Sequence, residues 1–177
     1  MNGPFINRRL DRWNRRDFLF FGGGLMGCTS VLTSCKPPKT KISRKTTPLG
    51  ERAEVGSLVF LALETKWSTQ FGEMPRIRVP KNQFLSVRIS ITNQGGGMVG
   101  CPLLSLVDEA DNRFPEVDDA KEVDGWLGLV RMIQAGNTEF GWIVFDVPPS
   151  NYALRLSDGN VENEKIGYVD LPLRLDS

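Results

Sequence analysis

The segment 84–93, FLSVRISITN, alternates strictly. Leu85, Val87, Ile89 and Ile91 point one way, and Ser86, Arg88, Ser90 and Thr92 the other. A period of two marks a strand with one face in a core and one in water. Asn93-Gln94 and then Gly95 to Gly97 end it in a turn. The segment 138–148, TEFGWIVFDVP, has the same form, with Ile143, Phe145 and Val147 on one face and Phe140, Trp142 and Val144 on the other. The segment 57–67, SLVFLALETKW, is a strand whose first half is almost continuously apolar. LLSLVDE (103–109) is another, and Ala110-Asp111-Asn112 turns it toward RFPEV. YALRLSD and IGYVDLPLRL complete the series, and Pro172 places the last strand at a sheet edge or a bulge. One helical candidate remains, Asp118 to Met132, interrupted by Gly125 and Gly128. Short strands separated by turns predict an all-β fold, an antiparallel β-sandwich rather than a parallel sheet.

The first 35 residues do not fit that pattern. Arg15-Arg16-Asp17-Phe18-Leu19 is followed by an apolar stretch to about Leu32 that Gly22 to Gly24 interrupt. A membrane span needs about 20 mostly apolar residues, and this run is shorter and broken. A basic start, a short apolar run and a small-residue exit make an export signal. The form R-R-x-F-L resembles the twin-arginine translocation (Tat) signal of bacteria, with Arg15, Arg16, Phe18 and Leu19 as its matching residues. Its exit, Leu32-Thr33-Ser34-Cys35, resembles a lipobox, which implies lipidation at Cys35 and a membrane anchor. Leu25-Met26-Gly27-Cys28 is a second match, so Cys28 stands as the alternative. The remaining readings are an uncleaved signal anchor and a signal peptide cut elsewhere.

Charge sharpens this division. Residues 1–21 are net +3 and residues 36–47 net +5, whereas the body from Gly50 carries 12 basic and 19 acidic residues, net −7. An acidic body repels phosphates, which argues against a nucleic-acid partner. The segment 36–50 is basic, holds prolines and lacks the apolar residues needed to order itself. It is expected to be a flexible tether, whose charge also favours anionic headgroups. The expected organisation is a signal peptide over 1–35, a tether over 36–50 and a sandwich over 51–177.

Within the body, EVGSLVFLAL, the strand ending in Asn93-Gln94-Gly95, LLSLVDEADNRF, IQAGNTEFGWIVFDVP, YALRLSDG and YVDL follow one another in an order that resembles the DUF4352 family. The resemblance covers about Glu54 to Leu171. Ala135 replaces the family's usual turn proline, and Gly95 to Gly97 is an unusual insertion. The resemblance implies an immunoglobulin-like sandwich, of a kind found on bacterial lipoproteins and secreted proteins. It supplies no catalytic residues.

The chemistry on offer is sparse. The chain contains no histidine. That excludes blue-copper sites, ordinary His-based zinc sites, Ser-His-Asp triads and Cys-His dyads. No catalytic residue, metal ligand or cofactor is assigned, and the chain is expected not to be an enzyme. Cys101 is the body's only thiol, read as a buried small hydrophobe, with an intermolecular disulfide or a reactive thiol as the alternatives. The acidic segment 108–124 is read as a solvated loop. Its carboxylate density keeps calcium binding open as an alternative, although the EF-hand spacing is not met. Trp142 is expected in the core. Trp126, between turn residues, is either a core plug or a candidate partner contact. The expected function is a lipid-anchored, exported envelope protein, meeting the export machinery during translocation, with an exported enzyme or a calcium-binding protein using the acidic segment 108–124 as the alternative. Its sandwich would present a loop surface to an envelope protein or a saccharide.

Overall fold

The computed structural model describes residues 44–173. Arg15, Arg16, Phe18, Leu19, Cys28 and Cys35 lie outside the described residues, as does the signal segment as a whole. The described chain is all β. The strands are β1 (Arg52–Val55), β2 (Leu58–Ser68), β3 (Gln83–Asn93), β4 (Val99–Cys101), β5 (Ser105–Val107), β6 (Arg113–Pro115), β7 (Arg131–Ile133), β8 (Thr138–Val147), β9 (Tyr152–Ser157) and β10 (Ile166–Leu171). One sheet runs β1-β2-β3-β8 and the other β10-β9-β5-β6, with β4 and β7 as a separate ladder. Every strand pairing is antiparallel.

This order is that of an immunoglobulin-like sandwich. β2, β3 and β8 take the places of strands A, B and E, and β10, β9, β5 and β6 those of G, F, C and C′. A tyrosine corner confirms the assignment. Tyr152 opens β9 just past the turn from β8, and its hydroxyl donates to the Pro148 carbonyl at 2.7 Å. Two residues on, where antibody domains carry the second disulfide cysteine, stands the fully buried Leu154.

The inward sets match the alternation of the sequence. Val87, Ile89 and Ile91 of β3 meet Ile143, Phe145 and Val147 of β8 and Leu154 and Leu156 of β9 in one core. The polar stop after β3 is built by Asn93, fully buried. Its amide donates to the carbonyls of Gly97 and Ile133, and its Oδ1 accepts from the Gly95 amide. Asp108 makes the turn out of β5 by accepting from the amides of Ala110 and Asn112, with Asp111 at φ 66°. β10 lies at a sheet edge, and Pro172 follows its last residue.

Three expectations change. No helix forms over Asp118 to Met132. The segment is a chain of turns, with Val123 N bonded to Ala120 O and Trp126 N to Val123 O, and it ends in β7. Gly125 and Gly128 adopt φ of 72° and 70°, which a right-handed helix does not contain. Second, Arg44 to Gly50, assigned to the tether, lie on the sandwich. Thr47 N donates to Tyr168 O, and Asp170 N to Thr47 O, in a parallel bridge to β10. Arg44 reaches across to the Asp108 carbonyl at 3.0 Å and the Asp111 carboxylate at 2.6 Å, with its guanidinium over the Tyr168 ring. Third, Trp142 is half-buried and stands on the outer face of β8, outside the core.

Candidate functional site

The outer face of the β1-β2-β3-β8 sheet is shaped by one extra residue. The pairing of β2 with β3 slips between Ala62 and Glu64. Up to Ala62 the even-numbered residues of β2 face the core. Past the bulge, Thr65 pairs with Val87 and Trp67 with Leu85, so the odd-numbered residues now face inward. Glu64 and Lys66 are thereby turned outward, opposite Arg88 and Ser86. Bulges commonly re-aim side chains in this way.

Half of this outer face is covered. Phe84 and Val144 are buried with Ala120 in a second cluster, against which Phe71, Val117, Val123 and Trp126 pack. Phe71 and Phe84 stack with centroids 4.2 Å apart. The cover also seals the free edge of β8, with Val117 N bonded to Val144 O, Leu127 N to Trp142 O and Trp142 N to Gly125 O. The approach is close, because a Cβ on Gly141 would stand 2.3 Å from the Gly125 carbonyl oxygen. Over Trp142 to Val144 this covering takes the edge out of reach of another chain's backbone.

The other half is open. Phe140 is 50 % exposed, and the Arg88 guanidinium lies 4.5 Å from its ring centroid and 6.0 Å from that of Trp142. Arg88 also bonds Glu64 at 3.0 Å. Trp142 is shared with an adjoining groove of about 320 Å³. Its walls are Phe71 and Val123, and its polar groups come from Lys66, Ser68, Gln70, Ser86 and Asp124. Ser86 is only 4 % exposed.

The residues singled out in the sequence fall into separate places. Trp126 is half-buried and packs into the cover beside the groove, in a bridge with Trp142. Its indole Nε1 is buried without an acceptor among the described residues. Cys101 is buried at 4 % exposure beside Arg131, its strand partner in the β4–β7 ladder. Burial pushes its thiol up to about 11, with the Arg131 charge opposing. A thiol so held is protonated at neutral pH and a poor nucleophile.

The acidic segment 108–124 is not one site. Asp108 caps a turn, while Asp119, Glu122 and Asp124 are exposed. Glu116 is buried in a bidentate pair with Arg131, at 3.0 and 2.5 Å, and also accepts from the Leu104 amide. Burial alone would lower the Arg131 pKa, but the hydrogen bonds and charge of Glu116 outweigh it and hold it raised. Among the described residues no three carboxylate or thiol groups are gathered closely enough to hold a metal ion.

Arg88, Phe140, Lys66 and Gln70 were not singled out in the sequence. A trace of them existed. The outward sets of the two best strands already placed Arg88 on one and Phe140 and Trp142 on the other. What was missing was the register that lays Arg88 against Trp142.

Solved structures show the same fold. The chain is similar to the yjhA protein of Bacillus subtilis at 17 % identity, covering 70 % of this chain and 98 % of that one, with a TM-score of 0.53. It is similar to ycdA of Bacillus subtilis, described as a candidate lipoprotein, at 12 % identity and a TM-score of 0.54, covering 69 % of this chain but only 38 % of that longer one. A Listeria monocytogenes protein matches at 12 % identity and a TM-score of 0.51, covering 70 % of this chain and 82 % of that one. No protein-family model matches the chain, and no curated protein sequence matches it. At these identities the likeness establishes a β-sandwich of a kind found in bacterial proteins.

Proposed function

We propose that the chain is an exported, lipid-anchored protein of the bacterial cell envelope, and that its sandwich is a non-catalytic binding module of the DUF4352 kind. The address rests on Arg15-Arg16-Asp17-Phe18-Leu19 and on Leu32-Thr33-Ser34-Cys35. The candidate lipoprotein among the structures of similar fold is in keeping with it. One observation carries the binding half: the uncovered face on which Phe140 and Trp142 flank Arg88 beside a polar groove. Half-exposed aromatic and arginine side chains grouped on a rigid sheet are typical of contact surfaces.

Two measurements test the two halves separately. Metabolic fatty-acid labelling of the full chain is expected to mark the wild type and not Cys35→Ala. Unchanged label in that variant would remove the anchor assignment. For binding, a photo-crosslinking residue at Phe140 is expected to yield an adduct in intact cells. The same residue at Val161, which is 99 % exposed in the β9–β10 loop, is expected to yield none. Equal adducts from both positions would remove the face from consideration.

A further inference from the structure

We propose that the groove and the aromatic strip beside it form a glycan-binding site, taking an uncharged stretch of saccharide chain. This rests on the reading of the sandwich as a binding module and names its ligand class. The first support is the chemistry of the lining. Trp142 and Phe71 offer apolar faces against which the C–H face of a pyranose ring packs. Gln70 and Ser86 bring an amide and a hydroxyl that both donate and accept, as sugar hydroxyls require, while the Ser68 hydroxyl, which already donates to the Gln70 carbonyl, can still accept. Ser86, pointing outward from β3 at 4 % exposure, brings its hydroxyl to the same lining. A purely apolar ligand would leave those groups unpaired in a covered site, at a cost.

The second support is charge. The lining carries one cation, Lys66, and one anion, Asp124. The strip above it carries another balanced pair, Arg88 and Glu64. An anionic ligand would meet Asp124 and Glu64, and a cationic one Lys66 and Arg88. A neutral polyol meets neither penalty, and both ends of each pair can bond its hydroxyls.

The third support is shape. Phe140 and Trp142 lie two residues apart on one face of β8, about 7 Å along the strand. Phe71 and Trp142 line the groove together, and Arg88, lying near both Trp142 and Phe140, links it to the open surface, so that a chain of apolar faces runs from the groove outward. A linear glycan can lie along such a row, whereas a single small molecule would use the groove alone. An extended peptide would instead be expected to seek a strand edge. Over Trp142 to Val144 the β8 edge of this sheet is covered by the 117–127 segment. The bulge that turns Glu64 and Lys66 outward builds the polar side of the site from a strand whose parity would otherwise bury them.

The test uses the full chain in detergent, titrated with hexasaccharides of glucose, N-acetylglucosamine and mannose and followed by tryptophan fluorescence and by ligand-observed NMR. At least one is expected to bind. Trp142→Ala is expected to weaken it about tenfold, Phe140→Ala about threefold, and Val161→Ala not at all. Gln70→Ala, in an exposed loop, gives a reading even if Trp142→Ala fails to fold, and is expected to weaken binding a few-fold. No binding by any of the three overturns the proposal. So does binding that Trp142→Ala and Gln70→Ala leave unchanged, or Trp142-dependent binding of an extended peptide library in place of the sugars. The anchor and crosslinking experiments above are independent. A chain that labels at Cys35 and crosslinks through Phe140 but binds no glycan loses only the ligand class.

Discussion

Two arginine–glutamate pairs carry the same charges and do opposite things. The side chains of Arg131 and Glu116 are each 1 % exposed and meet through two parallel hydrogen bonds. Those of Arg88 and Glu64 are 41 % and 52 % exposed and meet through one. The buried pair closes a circuit of backbone contacts. Glu116 also takes the Leu104 amide, and Arg131 Nε donates to the Gly128 carbonyl. It therefore ties the 102–104 and 116–128 segments to the β4–β7 ladder. Nothing outside the molecule can reach it. The exposed pair leaves most of its hydrogen-bonding capacity to solvent, and two aromatic rings hold its guanidinium on the surface. Burial, rather than residue type, decides which pair serves the fold and which is available to a ligand.

The largest expected effect breaks the buried pair from one side. Glu116→Gln or Arg131→Met leaves one charge in the interior without its counter-ion. Each is expected to cost about 3–5 kcal/mol, read by urea denaturation of the full chain. The double variant Glu116→Leu with Arg131→Met is expected to recover most of that loss, because the desolvation of both charges disappears with them. A double variant no better than either single would show that the backbone bonds, and not the charges, are what the pair contributes.

Next in size is Gly141→Ala. Its Cβ would meet the Gly125 carbonyl oxygen at 2.3 Å and the Leu127 side chain at 2.9 Å, so the 125–127 segment must move off β8. About 1–3 kcal/mol of destabilisation is expected, as for overpacking elsewhere. Hydrogen exchange is expected to accelerate at the amides of Leu127 and Trp142, and not in β9. Because this segment seals the strip's neighbour, the variant also separates the cover from the open face. Exchange that speeds up evenly across the sandwich would contradict that separation.

The thiol beside the buried pair gives a smaller, pH-dependent effect. Burial raises Cys101 from 9.0 to about 11. The folded state thus holds its proton more tightly than the unfolded chain. The associated stability is fully present below pH 9 and is lost as pH rises through about 11. In a Cys28→Ser, Cys35→Ser chain, alkylation of Cys101 at pH 8 is expected to proceed only as fast as the protein opens. Denaturation midpoints are expected to fall between pH 9 and 11 more steeply than in the same chain with Cys101→Ala. Rapid alkylation of the native state would mean the pair does not shield its neighbour.

Much of this arrangement was legible in the sequence, and the exceptions have physical causes. The long strands β2, β3 and β8 announce themselves because each has a buried and a wet side. β4 and β7, three residues each, are too short to show a period, and their partners lie 30 to 34 residues apart. The false helix arose because Ala120, Val123, Trp126 and Leu127 recur at spacings of three and four. Successive three-residue turns produce the same spacing, and Ala120, Val123 and Trp126 pack in one cluster on the outer face, whereas Leu127 packs against the main core. Trp126 was legible as a candidate contact, yet its ring lies in the cover while Trp142, expected in the core, lies on the open face. Alternation along β8 told which residues share a face. It could not tell which half of that face another segment would cover.

The smallest expected effect tests the exposed pair. A solvent-exposed ion pair typically contributes about 0–1 kcal/mol, and salt weakens it. Glu64→Gln is therefore expected to shift the urea midpoint barely, and less still in high salt. Arg88→Ala removes in addition the guanidinium packed against Phe140 and Trp142, where cation–π contacts at exposed sites are worth about 0.5–1 kcal/mol. Its loss is expected to exceed that of Glu64→Gln and to resist salt. Arg88→Lys keeps the charge but not the planar group that stacks on the rings, so it is expected to behave like Arg88→Ala rather than like the wild type. If Arg88→Lys were neutral and Glu64→Gln costly and salt-sensitive, the charge pair would be holding the strip together, and the two pairs would differ in degree only. If the expected order holds, the rings clasp the arginine, Glu64 is an onlooker, and the contrast between the two pairs is one of kind.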